Sequence, residues 1–135
     1  MVGTATRLHL VGRLGFDISD KAVKRAGLDY WENLDLVRHE SFKDLLDQVA
    51  DPKRVFYFSK KAAKSFFDVQ WQRGDYLVFG KETVGLDEKL LRENDDRCVR
   101  IPMWGPIRSL NLANSVTAVI YEGMRQLIAS GQIPR

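Results

Sequence analysis

Apolar and polar residues alternate along this chain in a pattern that predicts short strands separated by helices. Five segments have the length and the β-branched or aromatic character of strands, and the fourth is apolar enough to be buried on both faces. They are residues 7–11, 34–38, 54–58, 76–79 and 98–101. Strands that alternate with helices favour an α/β fold with a mostly parallel sheet and helices on both faces.

Helices are predicted where a capping residue precedes an apolar face. Ser19 is positioned to cap a helix over residues 20–26, and Ser41 with Asp44 resembles a capping box for a helix that continues to residue 49. Further helices are predicted over residues 87–92 and 111–129, while residues 59–68 give no firm prediction. In the last helix, apolar residues recur at three- and four-residue steps and define one buried face: Leu112, Val116, Val119, Ile120, Gly123, Met124 and Leu127.

The composition is that of an ordinary globular protein. The 135 residues fit one domain over positions 1–135, with 44% hydrophobic and 29% charged residues. We find no apolar run near the ~20 residues that cross a bilayer, and residues 1–14 lack the continuous apolar region of a signal peptide. The single Cys98 suits a reducing compartment, and together with the distant His9 and His39 it argues against a metal site.

The charge balance is mildly basic. A net charge of +3 and a pI of about 9.1 agree with a polyanionic partner such as RNA, without requiring one.

Two glycine- or proline-marked loops each follow the carboxyl end of an apolar strand. In open α/β sheets this edge binds ligands, because loop amides and helix starts converge there. The residues themselves therefore indicate a small α/β domain with a ligand-binding edge. The motif residues, in chain order, are Gly80, Glu82, Gly85, Ile101-Pro102-Met103, Ser109-Leu110-Asn111 and Tyr121-Glu122.

These motifs in this order resemble the second and third signature motifs of the SpoU-type RNA ribose 2′-O-methyltransferases, which belong to the SPOUT class. The similarity covers nearly the whole chain and is greatest to the branch that methylates the wobble-position ribose of tRNA. Further matching segments are residues 8–11, 14–16, 25–31, 75–80 and 109–114. The resemblance implies an α/β-knot fold with a C-terminal trefoil knot, S-adenosylmethionine as cofactor, RNA (expected to be tRNA) as substrate, and a homodimer in the cytoplasm or an organelle matrix.

The resemblance also implies roles for individual residues. Glu82, Ser109 and Asn111 would be catalytic, and Arg108, Lys60 and Lys61 would contact RNA. The cofactor would be bound by Phe58, Gly80, Ile101, Met103, Ser109 and Leu110. Structural interpretations stand beside these roles: a solvated carboxylate for Glu82, helix capping for Ser109 and Asn111, and simple turns for the glycines. Trp104 can stack on a base or pack against a second copy of the chain.

The chain departs from the family pattern at its N-terminus. Residues 1–6 resemble the end of the family's first helix, so the sequence lacks the first strand and the helix with an arginine expected at the target ribose. This departure keeps open the alternative of a non-catalytic SPOUT remnant that binds RNA or cofactor. A ribosomal RNA 2′-O-methyltransferase is a second alternative, because the sequence does not identify the RNA that is modified.

Overall fold

The structure, a computed structural model, describes residues 4–12, 35–81, 85–105 and 111–135. The chain divides into two compact units, residues 1–50 and residues 51–135. Each unit has its own parallel strands and helices, as expected for an α/β protein. That both units form a single domain stays a prediction.

Among its described residues, 4–12 and 35–50, the first unit contains two parallel strands and one short α-helix. Strand β1 (Leu8–Val11) pairs with β2 (Leu36–His39), with Leu8 opposite Leu36. Helix α1 (Phe42–Leu46) begins at Ser41, whose side chain accepts a hydrogen bond from the backbone N–H of Asp44. The capping prediction is confirmed, whereas the predicted extension to residue 49 is wrong.

Helix α1 ends early because the chain tightens after Leu46. The backbone N–H groups of Gln48 and Val49 donate to the carbonyls of Leu45 and Leu46, only three residues back, so the chain leaves α-helical geometry. The strand predicted at residues 34–38 is found at Leu36–His39, so it begins two residues and ends one residue later than predicted. The helix predicted at residues 20–26 lies outside the described residues.

Two histidines meet across β1 and β2. The Nδ1 atom of His9 is 2.9 Å from Nε2 of His39, and the two rings stack with centroids 5.1 Å apart. His39 is buried, and burial is the main cause that lowers the pKa of His9, with the neighbouring His39 second. One imidazole must supply a lone pair to the N–H of the other in this contact.

The second unit is built on a four-stranded parallel sheet. Its strands are β3 (Val55–Phe58), β4 (Lys64–Ser65), β5 (Tyr76–Val78) and β6 (Cys98–Arg100), in the spatial order β4-β6-β3-β5. All pairings are parallel, with Val55 opposite Tyr76 and Tyr57 opposite Cys98. The predicted parallel sheet is confirmed for this unit, and strand β4 was not foreseen.

Helical segments pack on both faces of the central strand β3, whose four residues are all buried. On one face, helix α3 (Leu112–Ala129) contributes Val119 to a core of aromatic and branched residues. That core consists of Phe56, Phe58, Phe66, Val69, Trp71, Val99 and Val119. On the other face, the thiol of Cys98 donates to carbonyls near the end of helix α2 (Glu88–Glu93), and the Arg97 guanidinium lies over the Tyr57 ring.

Strand β5 differs from its prediction in burial. Tyr76, Leu77 and Val78 are each half-buried, although the apolar sequence predicted burial on both faces. Among the described residues β5 pairs only with β3, so it is the last strand in the order and has a neighbouring strand on one side only. An end strand keeps part of its side-chain surface open, which a run of apolar letters does not reveal.

Helix α3 is fixed to the sheet by a polar clasp as well as by its apolar face. Gln126 accepts a 2.8 Å hydrogen bond from the backbone N–H of Trp71 and donates one of 2.9 Å to the carbonyl of Val69. Glu122 accepts from Gln126 and makes two hydrogen bonds with Arg125. The clasp therefore holds the C-terminal half of α3 against the segment between β4 and β5.

Candidate functional site at the carboxyl edge of the sheet

The carboxyl ends of the four parallel strands in residues 51–135 lie at one edge. Three of the loops that leave this edge contain the residues predicted to bind cofactor or RNA. Beyond the carboxyl ends of β4, β6, β3 and β5, in this spatial order, the described chain continues with residues 66–68, 101–105, 59–63 and 79–81. The topology therefore brings together the segments that the sequence placed far apart.

The loop after β3 is tied to strand β6. The backbone N–H of Ser59 donates to the carbonyl of Val99 at 2.9 Å, and the Arg100 guanidinium donates to the carbonyls of Ala62 and Ala63 at 3.3 Å each. This holds the loop that carries Lys60 and Lys61 at the carboxyl edge, with both lysine side chains exposed.

Lys61 also forms an exposed ion pair. Its ammonium lies 3.2 Å from Oε1 of Glu88, the first residue of α2. An exposed pair of this kind contributes little stability, so Lys61 remains available to a phosphate at small cost. Lys60 and Lys61 are thus placed as an RNA-facing pair would be.

Phe58 reaches the edge with its backbone and not with its side chain. The ring is buried in the core and stacks on Phe79 with centroids 4.5 Å apart. A role for Phe58 in cofactor binding therefore has to come from its backbone groups, because the ring is committed to packing.

The loop after β5 closes on its own backbone at Gly80. A Cβ atom on Gly80 would lie 2.2 Å from the carbonyl carbon of Gly85 and 2.4 Å from the nitrogen of Leu86. The loop is closed by a 2.8 Å hydrogen bond from the Gly85 N–H to the Lys81 carbonyl, and Gly85 has φ +70°. Gly80 and Gly85 are required by the backbone itself, and Glu82, which lies between them, falls outside the described residues.

The segment after β6 presents two half-buried apolar residues and one exposed aromatic. Ile101 packs against the core cluster and Met103 is half-buried, so both offer partly open apolar surface at the edge. Trp104 is 98% exposed. Partly open apolar surface of this kind suits one wall of a small-molecule site.

Asn111 caps helix α3. Its side-chain oxygen accepts a 2.8 Å hydrogen bond from the backbone N–H of Asn114, so the capping interpretation holds for this residue. The amide nitrogen of the side chain is the group left to face a ligand. Arg108, Ser109 and Leu110 lie outside the described residues, and their roles stay predictions.

Buried ionisable groups near the sheet do not belong to this edge. Burial raises the pKa of the Cys98 thiol and of the Tyr57 phenol, so both stay protonated near neutral pH and neither is a ready nucleophile. In the part of the chain that the structure describes, no three His, Cys, Asp or Glu side chains are grouped to hold a metal ion. Within the same residues, no helix has the length and apolar character to span a membrane.

Two residues at this edge were missed as functional candidates. The Arg100 guanidinium donates to backbone carbonyls in the loop that carries Lys60 and Lys61 (called the lysine loop below), and no sequence motif indicates this contact. Phe67 follows β4 and is 58% exposed, whereas its neighbour Phe66 is 2% exposed. The sequence did offer one signal for Phe67, namely two adjacent phenylalanines outside a predicted helix. In extended chain successive side chains point to opposite faces, so one of the two is expected to be exposed.

Comparison with known proteins gives a consistent picture. The family described as "SpoU rRNA Methylase family" matches residues 2–121. The tRNA (cytidine(34)-2′-O)-methyltransferase of Escherichia coli strain K12 is 40% identical over 133 residues, covering 98% of this chain and 84% of that protein. A solved structure from work on the 2-OH methylation of C/U34 on tRNA is 43% identical, with a TM-score of 0.86, covering 95% of this chain and 83% of the other.

A more distant structure was determined with a cofactor. The SpoU methyltransferase AviRb from Streptomyces viridochromogenes, in complex with AdoMet, is 28% identical with a TM-score of 0.73, and the match covers 95% of this chain and 54% of AviRb. The fold, the order of the motifs and these similarities agree: the chain belongs to the SpoU methylase family of RNA methyltransferases.

Proposed function

We propose that this protein transfers the methyl group of S-adenosylmethionine to a ribose 2′-hydroxyl of RNA, at the wobble nucleotide of a tRNA. The observation that carries the proposal is the 40% identity, over 98% of this chain, to the E. coli tRNA (cytidine(34)-2′-O)-methyltransferase. The convergence of the motif loops at one sheet edge supports it, because methyl transfer requires two substrates to be held in line.

Several groups at the carboxyl edge fit an S-adenosylmethionine site. The main chain after Phe58 and around Gly80 lies where parallel strands end, while Ile101 and Met103 supply partly open apolar surface. An adenosine requires apolar walls beside polar backbone groups. The N–H groups of Ser59 and Gly85 already donate within the protein, so backbone carbonyls and the remaining amides are the groups proposed to contact the cofactor. When bound, the cofactor supplies a methyl group on a positively charged sulfur. Ser109 and Leu110 are proposed to complete the site.

The target hydroxyl must be oriented and must lose its proton. Glu82 is proposed as the group that receives this proton, since a carboxylate is the acceptor among the three candidate catalytic residues. Ser109 is proposed to orient the ribose. Asn111 acts through its amide nitrogen, because its oxygen caps α3.

Lysine and arginine side chains are proposed to position the RNA. Lys60 and Lys61 are exposed on the loop that Arg100 holds at the edge, and Arg108 follows the same edge in sequence. Contacts of this kind bind phosphates without reading the base. They explain how a mildly basic protein places one nucleotide at the site without requiring a separate RNA-binding domain.

The test is a methyl-transfer assay on tRNA transcripts with and without a 2′-deoxy sugar at the wobble position. We expect labelled methyl from S-adenosylmethionine to enter the ribose version and not the deoxy version. Calorimetry with S-adenosylmethionine, run in parallel, separates binding from catalysis. Binding without transfer to any tRNA would contradict the enzyme and favour a non-catalytic RNA- or cofactor-binding protein; transfer to ribosomal RNA alone would contradict the tRNA assignment.

Glu82→Gln tests the proton acceptor. The substitution keeps the size of the side chain and removes its basicity, so turnover should fall by roughly 10²–10⁴-fold while cofactor affinity changes little. Glu93→Gln, an exposed carboxylate in α2, is the matched control. Equal losses of turnover and cofactor affinity in Glu82→Gln would indicate a binding role instead.

We further propose that the working form is a cytoplasmic homodimer whose C-terminal segment forms the trefoil knot implied by the family. Each chain has a mass of 15.5 kDa, so sedimentation distinguishes one chain from two without ambiguity. A species that remains a single chain at enzymatic concentrations and is fully active would contradict the dimer.

A further inference from the structure

Two exposed aromatic side chains follow neighbouring strands at the carboxyl edge of the sheet. Phe67 follows β4 and is 58% exposed, and Trp104 follows β6 and is 98% exposed. Strands β4 and β6 pair in parallel, with Ser65 opposite Arg100. The chain therefore leaves both strands toward the same edge, with Phe67 two residues beyond Ser65 and Trp104 four residues beyond Arg100.

Phe67 is held in place by contacts with Ser65 and Phe66. Its backbone N–H donates to the side chain of Ser65 at 3.2 Å, and its ring lies 4.1 Å from the ring of the buried Phe66, centroid to centroid. One side of the Phe67 ring is therefore supported by the core while more than half of the residue stays open. An aromatic ring fixed in this way loses little conformational entropy when a flat partner stacks on it.

The strands beyond these aromatics contribute cations. Next to β6 along the edge, β3 continues into exposed Lys60 and Lys61, and β5 continues into exposed Lys81. The edge therefore presents two aromatics followed by three lysines. Proteins bind single-stranded nucleic acid with this combination, in which bases stack on aromatic rings and cations track the phosphates.

We propose that Phe67 and Trp104 form a stacking platform for unpaired bases of an RNA loop, beside lysines that receive its phosphates. The proposal rests on RNA being the substrate and adds the residues that hold the nucleotides flanking the target. The alternative occupant is a second copy of this chain. Lysine-rich surroundings disfavour it, because lysine is depleted from protein interfaces and Lys60, Lys61 and Lys64 all lie exposed on this side.

The experiment measures binding of a fluorescent RNA stem-loop with a seven-nucleotide loop. Trp104→Leu and Phe67→Leu keep apolar surface and remove the flat ring, so each should weaken binding roughly 5- to 100-fold. Trp104→Phe, the matched control, should retain most of the affinity. The dependence of binding on salt should stay unchanged in the leucine variants and become shallower in Lys60→Met, because only the lysine neutralises a phosphate.

Three outcomes decide the proposal. Stem-loop affinity in Trp104→Leu equal to that of the parent protein would overturn it. A fall in sedimentation mass in Trp104→Leu would overturn it as well, by showing that the aromatics join two chains. Loss of stem-loop affinity in a folded variant with unchanged mass and unchanged S-adenosylmethionine affinity would support it. That result would stand even if no tRNA were methylated, in which case the proposed function alone would fail.

Discussion

At the scale of single residues, Gly80 shows how a motif position is fixed by backbone packing. The loop 80–86 folds so closely that Gly80 faces the backbone of Gly85 and Leu86, and a methyl group there would meet atoms 2.2–2.5 Å away. Neither neighbour is the end of a flexible side chain, so the backbone itself has to move. The family motif at this position therefore has a structural cause that is independent of the ligand.

Gly80→Ala should destabilise the fold by about 1–3 kcal/mol, because the added methyl overpacks a backbone contact, and should weaken S-adenosylmethionine binding. Gly123→Ala is the control: its Cβ would lie 3.8 Å from Trp71, an ordinary contact, and alanine should stabilise α3 by about 0.5–1 kcal/mol. Urea unfolding and calorimetry measure both. Equal stabilities of the two variants would show that the 80–86 loop relaxes freely.

The His9–His39 pair predicts how the first unit responds to acid. Burial and His39 lower the pKa of His9, with Arg7 acting in the same direction and Asp35 opposing. The unfolded chain therefore binds a proton at His9 more tightly than the folded protein does. The contribution of His9 to the free energy of unfolding is complete above the ordinary pKa of 6.5 and falls as the pH drops through that value. Urea unfolding at pH 7.5 and 5.5 should show a smaller loss in His9→Gln than in the parent; identical losses would contradict the prediction.

At the scale of elements, helix α3 depends on a polar clasp that its apolar periodicity does not describe. Glu122 has a side chain only 10% exposed and makes two hydrogen bonds to Arg125 and one to Gln126, which in turn bridges to Val69 and Trp71. Of the seven residues predicted on the buried face, Val119 and Ile120 are buried and the other five are half-buried, while Ser115, which was not predicted, is buried as well. The clasp joins the C-terminal half of α3 to the segment that contains Val69 and Trp71.

The clasp also makes α3 sensitive to acid in a lower pH range. Hydrogen bonds from Arg125, and secondarily from Gln126, lower the pKa of Glu122, although partial burial opposes them. The contribution of Glu122 to the free energy of unfolding is present above the ordinary pKa of 4.5 and is lost as the pH falls through the lower pKa of the folded protein. Glu122→Gln should flatten the loss of stability below pH 4.5, while Glu93→Gln, exposed on α2, should not. A parallel decline in parent and Glu122→Gln would contradict this.

At the scale of the whole molecule, the buried Cys98 reports on global unfolding. It is the only cysteine in the chain, it is 5% exposed, and its thiol donates to the carbonyls of Leu91 and Asn94. Burial raises its pKa, which further lowers its reactivity. A thiol reagent should therefore modify it only when residues 51–135 open.

We expect Cys98 labelling in urea to follow the same transition as the loss of far-ultraviolet circular dichroism, as for one cooperative domain. Native labelling should be slower than labelling of the unfolded chain by roughly 100-fold or more. Two separate transitions would show that residues 1–50 and 51–135 unfold independently, and would contradict the single-domain prediction. Cys98→Ser provides the blank for the reagent.

The sequence by itself determined the type and order of most elements, because periodicity and capping are local properties. Ser41 begins α1 and Asn111 begins α3 as expected, and the apolar runs at β3 and β6 are strands. The motif order also determined the family, since each loop motif is written in consecutive residues. Local signals failed where the outcome depends on neighbours, as in the early end of α1 and the half-burial of β5.

Only the tertiary structure decided which side chains are buried and which groups lie at the carboxyl edge. It placed the Phe58 ring in the core and left its backbone at the edge, and it buried Phe66 while exposing Phe67. It also assigned Arg100 to the lysine loop and lined up four strand ends at one edge. These facts are set by contacts between segments 20 to 40 residues apart, which the pairing of parallel strands creates and which no local pattern encodes.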